Sequence, residues 1–311
     1  MSASTLGGKG WRPRAGGHAE EVAAGRIWAA CGYRSEVARL REVLLAWPPD
    51  TIGDITDPAR FLMAERVDLT ALRTQAAALA EVYTALGVIV HMAAPPPDAP
   101  PNVIFMRDLF LATPQGVIVA RTAAEQRCGE ERHACAALAG LGMPILRTPT
   151  GTATFEGADA LWADERTVLV GHGFRTNLEG VRVVRDVLRE QEVDVIAVSL
   201  GEGVQHLLGS VVFVDRDLVA VHATAAGREL RAALAARGYE TLEFPPDEEL
   251  TTGRGMNFVT IAPREVLMPA GCPGIRDRLD RAGIRTHTVD VGEYVKAAGG
   301  VGCLTGILRR E

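Results

Sequence analysis

Apolar positions along the chain fall into a pattern that returns several times. Leu69, Leu72, Ala76, Leu79 and Tyr83 recur at helical spacing between Val67 and Leu86, and Gly87 stops the run just before the strand-like Val88-Ile89-Val90. Four more stretches read the same way. A helix running to Leu141 ends at Gly142 before Ile145-Leu146, and Leu178 to Leu188 precedes Val193 to Val198. Arg228 to Ala236 ends at Gly238 before Thr241-Leu242, and Ile275 to Ala282 ends at Gly283 before Thr286 to Val289. Between these units lie apolar pairs joined by short polar turns, which predict hairpins: Val103 to Leu111 with Val117 to Ala120, Ala158 to Trp162 with Val168 to Val170, Val211 to Val214 with Leu218 to Val221, and Phe258 to Ile261 with Val266 to Met268. Val43 to Trp47 is a further strand, stopped by Pro48-Pro49, and the apolar residues after Cys303 supply a last strand to pair with it and close a ring. The pattern predicts an α/β fold, a five-bladed propeller of pseudo-fivefold ββαβ repeats with a site on its axis. A doubly wound parallel sheet would show long βα alternation without hairpins, and no GxGxxG opens a helix here.

Composition sets bounds on this picture. With 311 residues, 47% hydrophobic and 23% charged, the chain buries a substantial core. Residues 1–34, rich in Gly, Ala and Arg with Trp11 and Trp28 as large anchors, read as a flexible N-terminal extension, leaving residues 35–311 as a single catalytic domain. A formal net charge of -6 without a Lys/Arg stripe argues against a nucleic-acid partner and suits a cationic small substrate. No run approaches a membrane span, so no membrane partner is expected. The cysteines at 31, 128, 135, 272 and 303 are odd in number and form no CxxC pair, which predicts free thiols in a reducing cytoplasm rather than a disulfide framework or zinc site.

The polar residues that interrupt apolar segments carry the candidate chemistry. Cys303 sits among Gly299, Gly300, Gly302 and Gly306, and glycines let backbone approach a ligand closely. Arg107-Asp108 falls inside an otherwise apolar stretch read as a buried hairpin strand, where charges need a partner; their mutual ion pair is the simplest one. Glu156 and Asp159 stand three residues apart at a strand entrance, and His206 precedes the Val211 strand. Each alone fits a local role as cap, ion pair or satisfied core histidine. Together they occupy equivalent places in successive repeats, as a central pocket requires. One histidine among scattered carboxylates, without HxH or HxxxH spacing, argues against a transition-metal site.

Six motifs, PNxxFxRD at 101–108, FEGAD at 155–159, RTN at 175–177, QHLLG at 205–209, MPAG at 268–271 and GGVGC at 299–303, resemble in order and spacing the guanidino-group modifying superfamily of arginine deiminases, dimethylarginine dimethylaminohydrolases and amidinotransferases. The resemblance spans roughly residues 35–308 and is nearest to the dimethylaminohydrolases. It implies Cys303 as nucleophile, His206 as general acid then base, and Glu156 as the carboxylate that holds the guanidinium and steers His206. It further implies Asp108 as a second guanidinium clamp, Asp159 as a further substrate-site acid, and Arg127, Arg175 and Asn102 as grips on the substrate α-carboxylate. Leu208 stands where deiminases carry an acid, as in the dimethylaminohydrolases, whereas Asn102 and Arg107 follow the deiminase and amidinotransferase pattern. The implied activity is cysteine-dependent hydrolysis of methylated arginine or arginine to citrulline, with amidino transfer to an amine as the alternative. No cofactor and no metal are implied; the expected partners are a small guanidino substrate and at most a second copy of the chain.

Overall fold

In the computed structural model, which describes residues 2–311, the chain forms five three-stranded sheets in a mixed α/β fold. β1 (Leu40–Ala46) runs parallel to β2 (Ile89–Ala93) through the helix Leu69–Ala85, whose buried stripe is Leu72, Ala76, Leu79 and Tyr83. Asp68 caps this helix by accepting from the amides of Thr70 and Ala71, and Gly87 leaves it at φ +78, a backbone state that glycine adopts freely.

The next four sheets repeat one plan, an antiparallel hairpin followed by a helix and a parallel third strand. β3 (Phe110–Thr113), β4 (Gly116–Val119) and β5 (Ile145–Arg147) make the second sheet, with the helix Glu130–Gly140 as crossover. β6 (Ala160–Asp164), β7 (Thr167–His172) and β8 (Asp194–Ser199) make the third, around the helix Leu178–Arg189. β9 (Val211–Phe213), β10 (Leu218–His222) and β11 (Glu240–Phe244) make the fourth, and β12 (Val259–Ala262), β13 (Glu265–Pro269) and β14 (Arg285–Val289) the fifth. β15 (Gly306–Arg310) returns to pair antiparallel with β1, with Val43 opposite Ile307, so the first sheet is completed by the last residues of the chain. That strand pairing agrees with the sequence expectation.

Two expectations are corrected. The stretch from Pro101 to Asp108 forms two 3-10 turns, Pro101–Ile104 and Met106–Asp108, instead of the start of a hairpin strand. Pro100 and Pro101 have no N–H for a ladder, and turns let the buried Arg107 and Asp108 point in different directions. Arg107 accordingly pairs with Glu36 at 3.3 Å, while Asp108 pairs with Arg127. The segment before residue 35 also differs from a free tail: residues 11–20 are exposed, but Val22, Cys31 and Tyr33 are buried. The Ala29 amide donates to the Gly142 carbonyl and the Gly32 amide to that of Leu308. Among the described residues, no helix is long and apolar enough to cross a membrane.

Candidate active site

A short turn precedes the inner strand of every sheet, and these turns carry the polar residues. Asp108 ends the turn before β3, Glu156 and Asp159 flank the turn before β6, and His206 opens the turn before β9. Cys303 lies in a one-turn helix, Val301–Leu304, ahead of β15, rather than directly at a strand end. The turns touch one another, which gathers residues far apart in sequence. Two cavities open on Cys303 and share Gln205, Ala298 and Cys303 as common wall. The smaller, about 20 Å³, is lined by Asn102, Phe105, Asp108, Arg127 and Arg175; the larger, about 410 Å³, by His206, Arg254 and Asn257 among others.

Glu156 is the hub of the charged cluster. It is buried, and its Oε2 lies 2.7 Å from His206 Nε2 and 3.4 Å from Arg127 Nη1; its Oε1 accepts from the Ala123 amide at 3.1 Å and lies 3.5 Å from Arg175 Nη1. Burial disfavours its charge, but the His206 hydrogen bond and the surrounding cations outweigh that and hold the carboxyl well below its ordinary range. Burial likewise opposes an imidazolium at His206, yet Asp108, Asp159 and Glu156 hold the ring protonated up to about 9. The Thr176 hydroxyl accepts from the Glu156 amide at 3.1 Å and donates to Asp159 Oδ2 at 2.6 Å. Asp159 Oδ1 in turn accepts from the Leu207 amide at 2.9 Å, fixing the turn that carries His206. Burial dominates at Asp159 and pushes its carboxyl up to about 7.

Cys303 is half-buried, and its thiol is pushed up by burial and by the Asp108 charge, with the Gly300 amide, the Asn257 side chain and the Arg254 charge pulling the other way. Asn257 Nδ2 donates to Cys303 Sγ at 3.0 Å and its Oδ1 accepts from the Cys303 amide at 2.9 Å. Sequence reasoning missed Asn257. The repeat itself held the signal, since the turn before β12 was the one such turn without an assigned residue, and Asn257 fills it.

The predicted residues are thus brought together around the two cavities. Arg127 is 2% exposed and its guanidinium meets Asp108 at 2.6 Å, Glu130 at 2.7 Å and Glu156 at 3.4 Å, so its charge is already balanced several times over. Arg127 nonetheless lines the small cavity. Asn102 Nδ2 donates to the Phe61 carbonyl at 2.7 Å, leaving Oδ1 buried without a partner; Asp108 Oδ1 is also unpartnered. Both residues line the small cavity, which therefore presents two unmet acceptors beside the already paired guanidinium groups of Arg127 and Arg175. Ligand atoms of Asp108, Glu156 and His206 fall within 4.8 Å of one another, a spacing a metal ion can use. Arg127 is wedged against two of these three groups and opposes a dication there. Cys128 is exposed and lines neither cavity, although Arg127 beside it is buried; all five cysteines are free.

Residues 97–238 match the family model of arginine deiminase. A dimethylarginine dimethylaminohydrolase of Pseudomonas aeruginosa is 28% identical over 211 residues, covering 68% of this chain and 78% of the relative. A solved structure of a mutant of that hydrolase complexed with citrulline superposes with a TM-score of 0.72 at 22% identity, covering 86% of this chain and 98% of the other. An amidinotransferase of the saxitoxin pathway from Microseira wollei has a TM-score of 0.69 at 14% identity, covering 90% and 97%. The two structural likenesses speak to the fold. Over the matched residues this chain is thus similar in sequence to arginine deiminases and to dimethylarginine dimethylaminohydrolases.

Proposed function

We propose that the protein is a cysteine-dependent hydrolase of a guanidino amino acid, arginine or a methylated arginine, that releases citrulline and ammonia or an amine. In this reading the five sheets are blades of one α/β propeller spanning residues 35–311, with the two cavities on its axis. The observation that carries it is the small cavity itself: two buried acceptors without partners, Asn102 Oδ1 and Asp108 Oδ1, face a space that ends at a thiol. A planar cation with several N–H donors suits that demand. The chemistry then follows from charge. At neutral pH His206 holds a proton and the Cys303 thiol is raised, so binding of a guanidinium beside Asp108 removes the charge that opposes the thiolate. The thiol releases its proton to solvent, the resulting thiolate attacks the guanidinium carbon, and imidazolium His206 protonates the departing nitrogen, leaving an amidino thioether on Cys303. Neutral His206 then takes a proton from water, hydroxide adds to the carbon, and the thiolate leaves as the ureido product forms. Glu156 keeps the ring oriented and stabilises its charge throughout.

Citrulline formation from arginine and from mono- and dimethylarginine, measured with and without chelator, tests the reading. The expected result is chelator-resistant turnover of at least one of them, lost in Cys303→Ser. Loss of turnover on chelation, or no citrulline from any of them, sinks it; ornithine appearing only with an added amine turns the assignment to amidino transfer.

A further inference from the structure

We propose that a buried cavity between Arg107 and Arg310 is a halide site, which takes one chloride ion. The cavity is about 20 Å³, room for a single water-sized particle, and is lined by Glu36, Arg107, Arg310 and Thr260 among apolar walls that include Phe213 and Phe258. Cys303 is not part of it, but Leu208 lines both this cavity and the larger active-site cavity, and Gly302 joins it to the cysteine turn. The site stands apart from the guanidine chemistry and does not depend on it.

Charge points to an anion. Arg107 and Arg310 are 4% and 5% exposed, and the cavity offers them one carboxylate, Glu36, whose Oε1 lies 3.3 Å from Arg107 Nη2. Asp108 also acts on Arg107, but its own ion pair is with Arg127 at 2.6 Å. The nearby phenols of Tyr33 and Tyr83 are pushed up by burial and stay neutral. Two buried cations therefore face one anion, and burial pulls Arg310 below the ordinary arginine range. Donors are in excess as well. Arg107 reaches Glu36 from Nη2 alone, and Arg310 reaches the Ala38 and Thr260 carbonyls from Nη1 alone, each at 2.8 Å; Arg310 Nε is buried without a partner. Glu36 Oε1 is meanwhile met by the Trp162 amide at 3.2 Å. A water would supply an acceptor and leave the charge uncompensated, whereas a monovalent anion supplies both. The volume excludes phosphate, sulfate and organic carboxylates, and the excess of guanidinium opposes a metal cation.

Melting temperature of the full chain at fixed ionic strength, with sodium chloride exchanged stepwise for sodium gluconate, reads occupancy, because an ion that binds only the native state stabilises it in a concentration-dependent way. The native protein is expected to melt roughly 1–3 °C higher in chloride than in gluconate. Two variants should move the chloride midpoint in opposite directions. Glu36→Gln keeps an acceptor for the Trp162 amide and removes the competing negative charge, so the midpoint should fall roughly 10-fold; Arg310→Gln removes a cation and should raise it roughly 10-fold or more. Bromide soaked into crystals of the native protein gives a second reading even if Arg310→Gln fails to fold, with an anomalous peak expected in the cavity. Equal melting temperatures in chloride and gluconate, midpoints that move the same way in both variants, water alone in the cavity, or bromide at surface positions as an adventitious ion only overturns the proposal.

Discussion

A thiol that attacks carbon must be aimed and must shed its proton, and Asn257 bears on both. Its amide holds the Cys303 sulfur and backbone at 3.0 and 2.9 Å, and donation to sulfur favours the anion. Replacing it by Ala removes a donor that now offsets burial, so the thiol rises further. Expected is a roughly 3- to 10-fold slower alkylation of Cys303 by iodoacetamide at pH 8, about one pH unit of displacement in the rate profile. The rate is followed by peptide mapping, because exposed Cys128 reacts on its own account. A variant profile that overlays the native one sinks the role. Cys303, His206 and Glu156 stand out in sequence because such residues are costly inside apolar stretches. Asn257 does not, since asparagine between glycines and a strand reads as an ordinary turn residue. Arg127 enters the sequence reading only through the family resemblance, as a grip on a carboxylate; its partner Glu130 lies on the following helix, and sequence spacing alone does not say which carboxylates a buried arginine meets.

Helices and third strands were legible nearly to the residue, because a helical apolar stripe ended by glycine is a strong signal. The turns that carry the site were not. Short apolar 3-10 segments such as Met106–Asp108 and Gly157–Asp159 share the burial of the strands they precede, and periodicity cannot separate them over three residues. What fixes these turns is close approach of backbone, and two helix glycines test how much of that is structural demand. A Cβ on Gly180 would lie 1.9 Å from the Thr154 carbonyl oxygen, whereas one on Gly140 meets nothing within 4 Å. Alanine is favoured over glycine in a helix by roughly 1 kcal/mol, and overpacking costs about 1–3 kcal/mol. At Gly140 only the first effect acts. At Gly180 the obstacle is backbone that no rotamer change can move, so the clash wins. Thermal melts should show Gly140→Ala up by a degree or more and Gly180→Ala down by roughly 2–6 °C. Gly180→Ala should also lower turnover, because Asn177 and Thr176 tie the start of that helix to Thr154 and Glu156. Equal shifts of one sign in both variants would falsify the argument.

At the scale of the whole molecule, β15 pairs with β1 and so joins the end of the chain to its first strand, and the charged cluster draws on turns from several sheets, so charge there is felt as global stability. That cluster shapes the protein's pH dependence, because Asp159, Glu130 and His206 are all shifted toward protonation while Glu156 is held ionised. Asp159 ionises near 3.8 when unfolded and about 7 when folded, so between those values the unfolded chain has released a proton that the native state keeps. Stability falls as pH rises through that window, by on the order of 4 kcal/mol. His206 is raised from 6.5 to about 9; its contribution is complete below 6.5 and is lost as pH rises toward 9, on the order of 3 kcal/mol. Glu156 acts in reverse: its depressed carboxyl stabilises above its unfolded value of 4.5 and that contribution is lost as pH falls toward the folded value. The three sit in one hydrogen-bonded network, so the separate figures do not simply add. Melting temperature at constant ionic strength should therefore be highest in mild acid, around pH 5, and decline through pH 9. Asp159→Asn keeps an acceptor for the Leu207 amide and removes one proton equilibrium, so it should make the profile shallower between pH 4 and 7, where buried Glu130, likewise raised to about 7, retains the remaining slope, while leaving the descent above 7 in place. His206→Gln should do the opposite, flattening only the upper limb. A native melting temperature that rises from pH 5 to 9, or an Asp159→Asn profile parallel to the native one, would show that these buried groups titrate as ordinary side chains and that burial at the cluster is not what sets their charge.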